Sequence, residues 1–441
     1  MRRPQIKTEL PGPRAKALIN KDHQFLSPSL PREYPLVISR GEGVWVNDPD
    51  DNCFLDFTSG IAVCNTGHCH PRVVAAAKDQ LDRLIHTCGA DFYHQPMIDL
   101  AEKLAGITPG DDRKRVYLGN SGAEAVESGF KLARWHSLRQ GAIAFLGAFH
   151  GRTMGALTLT ASKSVQKRRF GPLVPGVTHV PYAHCYRCAY NLTYPACDLA
   201  CVRYIEEELF KSVLSPEEIA VIVVEPIQGE GGYIVPPPDY HSRLKALAEK
   251  YGILYMVDEI QTGMGRTGKL YAIEHFDVVP DLLTTAKGLA SGMPLSALVA
   301  REEVMDWNRG AHGSTYGGNP VACAAALASI ALVESGLTEN AAVLGSRLRQ
   351  GLESLQQEFE CIGDVRGLGL MQAAELVDDR SRKTPDKALR DKLLLSCFEN
   401  GLLLLSCGES TIRFCPPLIT TESELDLGLE IFHTVLKTIC G

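Results

Sequence analysis

The sequence predicts an α/β protein, with a large domain on a mostly parallel sheet joined to a smaller α+β domain. Three observations predict this. Short apolar strands alternate with helical stretches through the middle of the chain. Several of those strands are apolar at nearly every position, as strands covered on both faces are. The C-terminal part then changes to long helical patterns around two strand-like segments.

Composition sets the outer bounds. The chain has 441 residues, 45% hydrophobic and 22% charged, which is ordinary globular composition with room for more than one core. A net charge of −7 leaves no basic stripe for nucleic acid, so a small-molecule partner is expected. No continuous apolar run is long enough to predict a membrane span. Arg2, Arg3, Lys7, Arg14 and Lys16 are not followed by an apolar core, which argues against a secretory signal; Glu9 and the nearby prolines argue against a transit peptide. The 14 scattered cysteines then read as reduced thiols of a cytoplasmic protein.

Taken in order, the Pro-rich, polar first thirty or so residues read as an extended arm. Residues 34–57 hold short apolar runs broken by Gly41, Gly43 and the polar residues 48–52, and read as small strands with one hairpin. His70-Pro71 opens a helix with Val73, Val74, Ala77, Leu81 and Leu84 at helical spacing. Strands are expected at 116–119, 142–146, 177–181, 220–225, 253–257, 282–285 and 296–300. Helices follow the first of these, on Ala123, Val126, Phe130 and Ala133, and cover 239–251. Later helices are expected at 320–334, 339–358 and 386–399, with strands at 369–375 and 411–416. Thr421 and Glu424 form a capping box for a last helix striped by Leu425, Leu429, Phe432 and Leu436. Residues 1–70 are expected to give the arm and strands of the small domain, 71–325 the large domain, and 326–441 the C-terminal small domain.

The strongest chemical signal is Lys287. It follows an apolar strand and is flanked by small residues. Removing an ammonium from water lowers its pKa and makes the amine a nucleophile fit for a Schiff base. Asp258 ends another buried strand. Ligands sit at the carboxyl ends of parallel strands, and a carboxylate there can pair with a protonated pyridine nitrogen. Asn120-Ser121-Gly122-Ala123 lies between a strand and a helix, where backbone N–H groups and a hydroxyl would seat a phosphate. These three features together predict pyridoxal 5′-phosphate (PLP). Phe149 is placed to stack on a flat ring, and Arg152 to take a carboxylate. Glu225 ends an apolar strand, so it should be partnered or functional. Arg413 lies inside a strand, where Glu230 or a substrate carboxylate must satisfy it; a plain structural Arg–Glu pair is the alternative.

An ordered set of segments carries a family resemblance. It runs from Asp56-Phe-Thr-Ser-Gly and Gly67-His-Cys-His-Pro through Asn120-Ser-Gly-Ala-Glu, Phe149-His-Gly-Arg-Thr and Glu225-Pro-Ile-Gln-Gly-Glu. It continues with Val257-Asp-Glu-Ile-Gln, Ala286-Lys-Gly and Ser314-Thr-Tyr-Gly-Gly-Asn-Pro. The set spans roughly residues 35–435 and resembles the class III PLP-dependent aminotransferases. The resemblance implies the PLP-dependent transferase fold (aspartate aminotransferase-like) and a homodimer with shared active sites. It implies that Lys287 holds the cofactor and shuttles the proton, Asp258 pairs with the pyridine nitrogen, and Gln261 bonds the ring oxygen. Phe149 would stack, with His150 beside it and Glu225 in the same cofactor-binding set. Ser121, Gly122 and Ala123 would hold the phosphate, and Thr315 would reach the phosphate of the neighbouring subunit. Arg413 would bind a substrate carboxylate, Glu230 would pair with it when another substrate is bound, and Arg152 would serve a second carboxylate.

The implied activity is transfer of an amino group from a 4-aminobutyrate-like ω-amino acid to 2-oxoglutarate. An amino-acid racemase or epimerase is the alternative, because the shared motifs fix a reaction class and leave open which carbon is reprotonated. Cys185, Cys188, Cys197 and Cys201 lie in an irregular insert. Free or redox-active thiols are favoured there over a metal site, because the second pair lacks C-x-x-C spacing.

Overall fold

The computed structural model describes residues 2–441. Its centre is a seven-stranded sheet in the spatial order Lys114–Gly119, Ser296–Arg301, Leu282–Thr285, Leu254–Asp258, Ile219–Val224, Gly141–Phe145 and Val177–Val180. Only Ser296–Arg301 runs against its two neighbours; the other neighbouring pairs are parallel. All seven strands fall where the apolar runs predict them.

The alternation of side chains explains why these runs are continuous. Ile222, Val224, Tyr255, Val257, Leu283 and Val299 face one core. Their sequence neighbours Val221, Val223, Leu254, Met256, Leu282 and Leu298 face another, under the helix Gly122–Ser137. A strand buried on both faces has no position left for a polar residue. The carboxyl ends of the parallel strands share one edge, which brings residues 120–123, 225, 258 and 287 towards one place.

The smaller α+β part contains an antiparallel sheet in the order Ile362–Leu368, Met371–Asp379, Thr411–Phe414 and Leu405–Cys407. Arg413 lies at its centre, opposite Ala373 on one side and Leu405 on the other. The N-terminal strands Arg40–Glu42, Trp45–Asn47 and Cys53–Asp56 join Leu402–Leu403 in a second small sheet. Val44, Trp45, Leu55 and Phe57 share a core with Leu348, Leu352, Phe414, Phe432 and Leu436. The last helix, Glu422–Cys440, starts with the expected Thr421–Glu424 capping box.

Among the departures from expectation, three are instructive. Residues 13–25 are a helix, Pro13–Phe25, and not extended chain. Pro13 sits in its first turn, where a missing N–H costs nothing. The N–H groups of Arg14 and Ala15 donate to the Asp50 carboxylate at 3.0 and 2.8 Å. The capping acid is distant in sequence, so no local signal announces it. Ile362–Leu368 is a strand that the pattern hides, because Gly363, Asp364, Arg366 and Gly367 interrupt its alternation. Finally, a window inside Pro320–Glu358 is apolar enough by composition to cross a membrane, and half of it is buried. Ala322, Cys323, Ala326 and Ile330 from this stretch pack into the large core.

His68 pins the loop before the helix Pro71–Arg83 to the N-terminal strands. Its Nε2 lies 2.7 Å from Asp56 Oδ2. Burial alone would lower the His68 pKa, but the hydrogen bond and charge of Asp56, with Cys64 adding to both, outweigh it and raise it to about 10. A raised histidine pKa stabilises the fold fully below the ordinary value near 6.5, and the stabilisation is lost as pH climbs towards 10. Urea midpoints are therefore expected to fall across that window. Asp56→Asn should flatten the fall and cost about 3 kcal/mol, because it breaks a buried pair.

Candidate active site

At the carboxyl edge of the large sheet lies a cavity of about 430 Å³. Ten of the residues singled out in the sequence line it: Ser121, Gly122, Ala123, Phe149, His150, Arg152, Glu225, Asp258, Gln261 and Lys287. They come from five strand ends and the loops that follow.

Lys287 sits two residues beyond the strand Leu282–Thr285, in a left-handed conformation with φ +43°. A non-glycine residue there stores about 1–3 kcal/mol of strain, which the surrounding packing must hold. Part of that packing is tight: a Cβ on Gly288 would lie 2.3 Å from Asn65. Burial lowers the Lys287 pKa. The Asp258 carboxylate opposes this, Arg413 adds to it, and Glu225 and Glu230 oppose it in turn. The amine is thereby pushed towards its neutral, nucleophilic form.

Asp258 is buried with both oxygens engaged. Oδ2 lies 2.7 Å from His150 Nδ1, and Oδ1 accepts from the Ile260 N–H at 3.0 Å. Burial would lower the His150 pKa, yet the Asp258 hydrogen bond and charge raise it, so the ring favours its cationic form. The other ring nitrogen, His150 Nε2, is buried without a partner.

Glu225 positions backbone. Its two oxygens accept from the Phe149 N–H at 3.1 Å and the Gly229 N–H at 3.0 Å. Burial pushes its pKa up to about 7; His150 opposes the rise, and Asp258 adds to it. Gln261 Oε1 is buried with no partner in the protein. Gly229 packs against the Gln261 amide, where a Cβ would lie 2.3 Å from Nε2.

The helix Gly122–Ser137 points its N-terminus into the cavity. Its capping box is complete: the Ser121 hydroxyl accepts from the Glu124 N–H at 3.3 Å, and the Glu124 carboxylate takes the N–H groups of Asn120 and Ser121. The N–H groups of Gly122 and Ala123 are left for a ligand. A Cβ on Gly122 would meet Ile260 Cδ1 at 2.9 Å, so a larger residue would have to push that side chain aside.

Arg152 is exposed at the cavity, its guanidinium 5.6 Å from the centre of the Phe149 ring. Glu230 and Arg413 do not line this cavity but stand close enough for their charges to act on Lys287. Arg413 Nη1 lies 3.5 Å from Glu230 Oε2. Thr315 is exposed and does not line the cavity of its own chain.

Sequence reasoning missed the apolar wall: Val63, Ile260, Met293, Pro294 and Leu295. Ile260 had a signal, since it follows Asp258 by two residues and so continues along the same edge. Met293 and Pro294 had none beyond following Gly292, whose φ is +122°.

The cysteine insert is irregular, as expected, with one short turn of helix at Cys185–Arg187. Cys185, Cys188, Cys197 and Cys201 are free thiols lining one small enclosed cavity. Among the described residues, no group of three or more Cys, His, Asp or Glu is arranged to hold a metal ion.

Comparison with known proteins agrees with this geometry. The model of the family "Aminotransferase class-III" matches residues 29–436. The chain is 39% identical over 450 aligned residues to an alanine/serine racemase of Pyrococcus horikoshii, covering 100% of this chain and 94% of that protein. It is 40% identical to a probable 4-aminobutyrate aminotransferase of Bacillus subtilis, covering 95% of this chain and 96% of that protein. A crystal structure of an amine transaminase from an uncultivated Pseudomonas species, in its PLP-bound form, superposes with a TM-score of 0.87 at 32% identity. That match covers 94% of this chain and 98% of the other. The chain belongs to the class III aminotransferase family, has the PLP-dependent transferase fold and uses pyridoxal phosphate as its cofactor.

Proposed function

We propose that this protein moves the amino group of an ω-amino acid, 4-aminobutyrate or a close homologue, to 2-oxoglutarate. One observation carries the reading. The Arg413 guanidinium is only 5% exposed, yet its Nε and Nη1 have no hydrogen-bond partner. A buried cation left open in this way is a seat for a carboxylate from outside the protein. Arg152 offers a second seat, at the cavity itself, so a dicarboxylate acceptor could use both arginines and a monocarboxylate donor only one.

The residues fit the cofactor. When bound, PLP supplies an electron sink for the charge left as the amine-bearing carbon loses its proton. Asp258, supported by His150, pairs with the pyridine nitrogen. The unpartnered Gln261 side chain meets the ring oxygen, and Phe149 and Ile260 cover the ring. Ser121 and the N–H groups of Gly122 and Ala123 hold the phosphate. Glu225 fixes the Phe149 backbone. Lys287 would tether the cofactor and, once its amine is released by the incoming substrate amine, would take the proton from the substrate carbon as a base and hold it as the site's acid.

The working unit is a homodimer in which Thr315 reaches the neighbouring subunit's phosphate. Ile85 and Tyr316 are large, exposed and near Thr315 in sequence or space, as a subunit face requires. Free thiols throughout the chain suit the cytoplasm.

The test is a screen of ω-amino and α-amino donors against 2-oxoglutarate and pyruvate. Transfer that depends on the added oxo acid supports the reading. A second reading, amino-acid racemisation, draws support from the racemase relative that matches the whole chain at 39%. Conversion of an L-amino acid to its D-form without any oxo acid would favour it. For the leading reading, Arg413→Ala is expected to raise the KM for 2-oxoglutarate by about 10–100-fold, the loss of a charge-assisted pair, with a smaller change in kcat.

A further inference from the structure

We propose that Lys163 is a specificity-determining residue that holds Glu230 off Arg413 and keeps the arginine open to a substrate carboxylate. The inference rests on the carboxylate-binding role given to Arg413 above.

Glu230 stands between two cations. Its Oε1 accepts a hydrogen bond from Lys163 Nζ at 2.7 Å. Its Oε2 is 3.5 Å from Arg413 Nη1, and that nitrogen has no hydrogen-bond partner. The carboxylate is therefore bonded to the lysine and only near the arginine. Yet the arginine is the more buried cation, at 5% against 41% exposed, and so has the greater need of a partner. Left to these two charges, Glu230 would close on Arg413 in a forked pair. The lysine bond opposes that closure.

Lys163 is placed for this. It immediately precedes the helical turn Ser164–Gln166, whose Gln166 is buried and bonded to the Ser162 hydroxyl at 2.7 Å. On the other side, Gly408 N–H donates to the Glu230 carbonyl at 2.8 Å. The backbones on both sides are fixed, and the side chains decide where the carboxylate goes. An acceptor with a carboxylate for Arg413 gains from an open arginine. A donor that carries no carboxylate at that end gains from a closed pair.

The experiment is a calorimetric titration of the holoenzyme with glutarate, a dicarboxylate without a transferable group, alongside steady-state kinetics. Lys163→Met is expected to weaken glutarate binding by about tenfold and to raise the KM for 2-oxoglutarate in step, with kcat little changed. Lys163→Arg should keep wild-type binding, and Glu230→Gln in the Lys163→Met background should restore it. Cofactor absorbance in each variant reports an intact fold. If Arg413→Ala abolishes glutarate binding but Lys163→Met leaves it unchanged, the role of Lys163 is overturned and the carboxylate seat stands. If Arg413→Ala binds glutarate as tightly as wild type, the seat itself is wrong, and the lysine's role fails with it.

Discussion

Replacing Lys287 with alanine is expected to remove turnover, by at least about 10⁴-fold, while the far-ultraviolet spectrum stays that of the wild type. General acid–base catalysis alone contributes up to about 10⁴-fold, and here one amine both tethers the cofactor and carries the proton. No neighbour can take its place. Of the other ionisable groups lining the cavity, Asp258 is bonded to His150 and the Ile260 N–H, Glu225 to the Phe149 and Gly229 backbone, and Arg152 cannot lose its proton. Lys287→Arg should be nearly as inactive, because a guanidinium neither forms the link nor acts as a base at neutral pH. Stopped-assay turnover with a sensitive amino-acid readout checks both variants. Activity within tenfold of wild type in Lys287→Ala would remove the lysine from the chemistry.

Replacing Asp258 with alanine is the second large effect, an expected loss of about 10³-fold in kcat/KM. The scale is that of removing one buried, preorganised electrostatic group from an active site. The loss has two causes. The pyridine nitrogen loses its counter-ion, so the ring holds its proton less and accepts electrons less well. His150 also loses the carboxylate that keeps its pKa up, and burial then drives the imidazole neutral. The pH dependence gives a distinct sign. In the wild type the His150–Asp258 pair persists as pH rises through the ordinary histidine range. In Asp258→Ala the imidazole should titrate below that range, which NMR of the histidine ring can follow. Asp258→Asn keeps the shape and part of the hydrogen bonding, so it should retain more cofactor than the alanine variant and recover little rate.

Much of this was legible because the chemistry sits at the ends of strands that announce themselves. A strand buried on both faces is an apolar run, and the polar residue that ends it stands out. Asp258, Glu225 and Lys287 are each found in that way, and the cavity holds all three. Arg413 was legible for the opposite reason, as a charge inside a strand. What stayed hidden depends on contacts between distant segments. The helix Pro13–Phe25 is capped by Asp50, and the strand Ile362–Leu368 is held by its partner Met371–Asp379 in spite of its own composition. The apolar wall of the site was invisible because Val63, Met293 and Leu295 look like any core residue until the chain is folded. Lys163 was invisible too: a lysine in a polar loop is ordinary, and only its 2.7 Å bond to Glu230 gives it a role.

The central claim is that the Lys287 amine and the Asp258 carboxylate face one bound ring. Borohydride reduction of the purified holoenzyme, followed by proteolysis and mass spectrometry, tests it most directly. The account predicts a single pyridoxyl-modified peptide carrying the label on Lys287, and loss of that peptide's label in Lys287→Ala. A label on any other lysine, or no label on a protein that still shows the cofactor's absorbance, would contradict it.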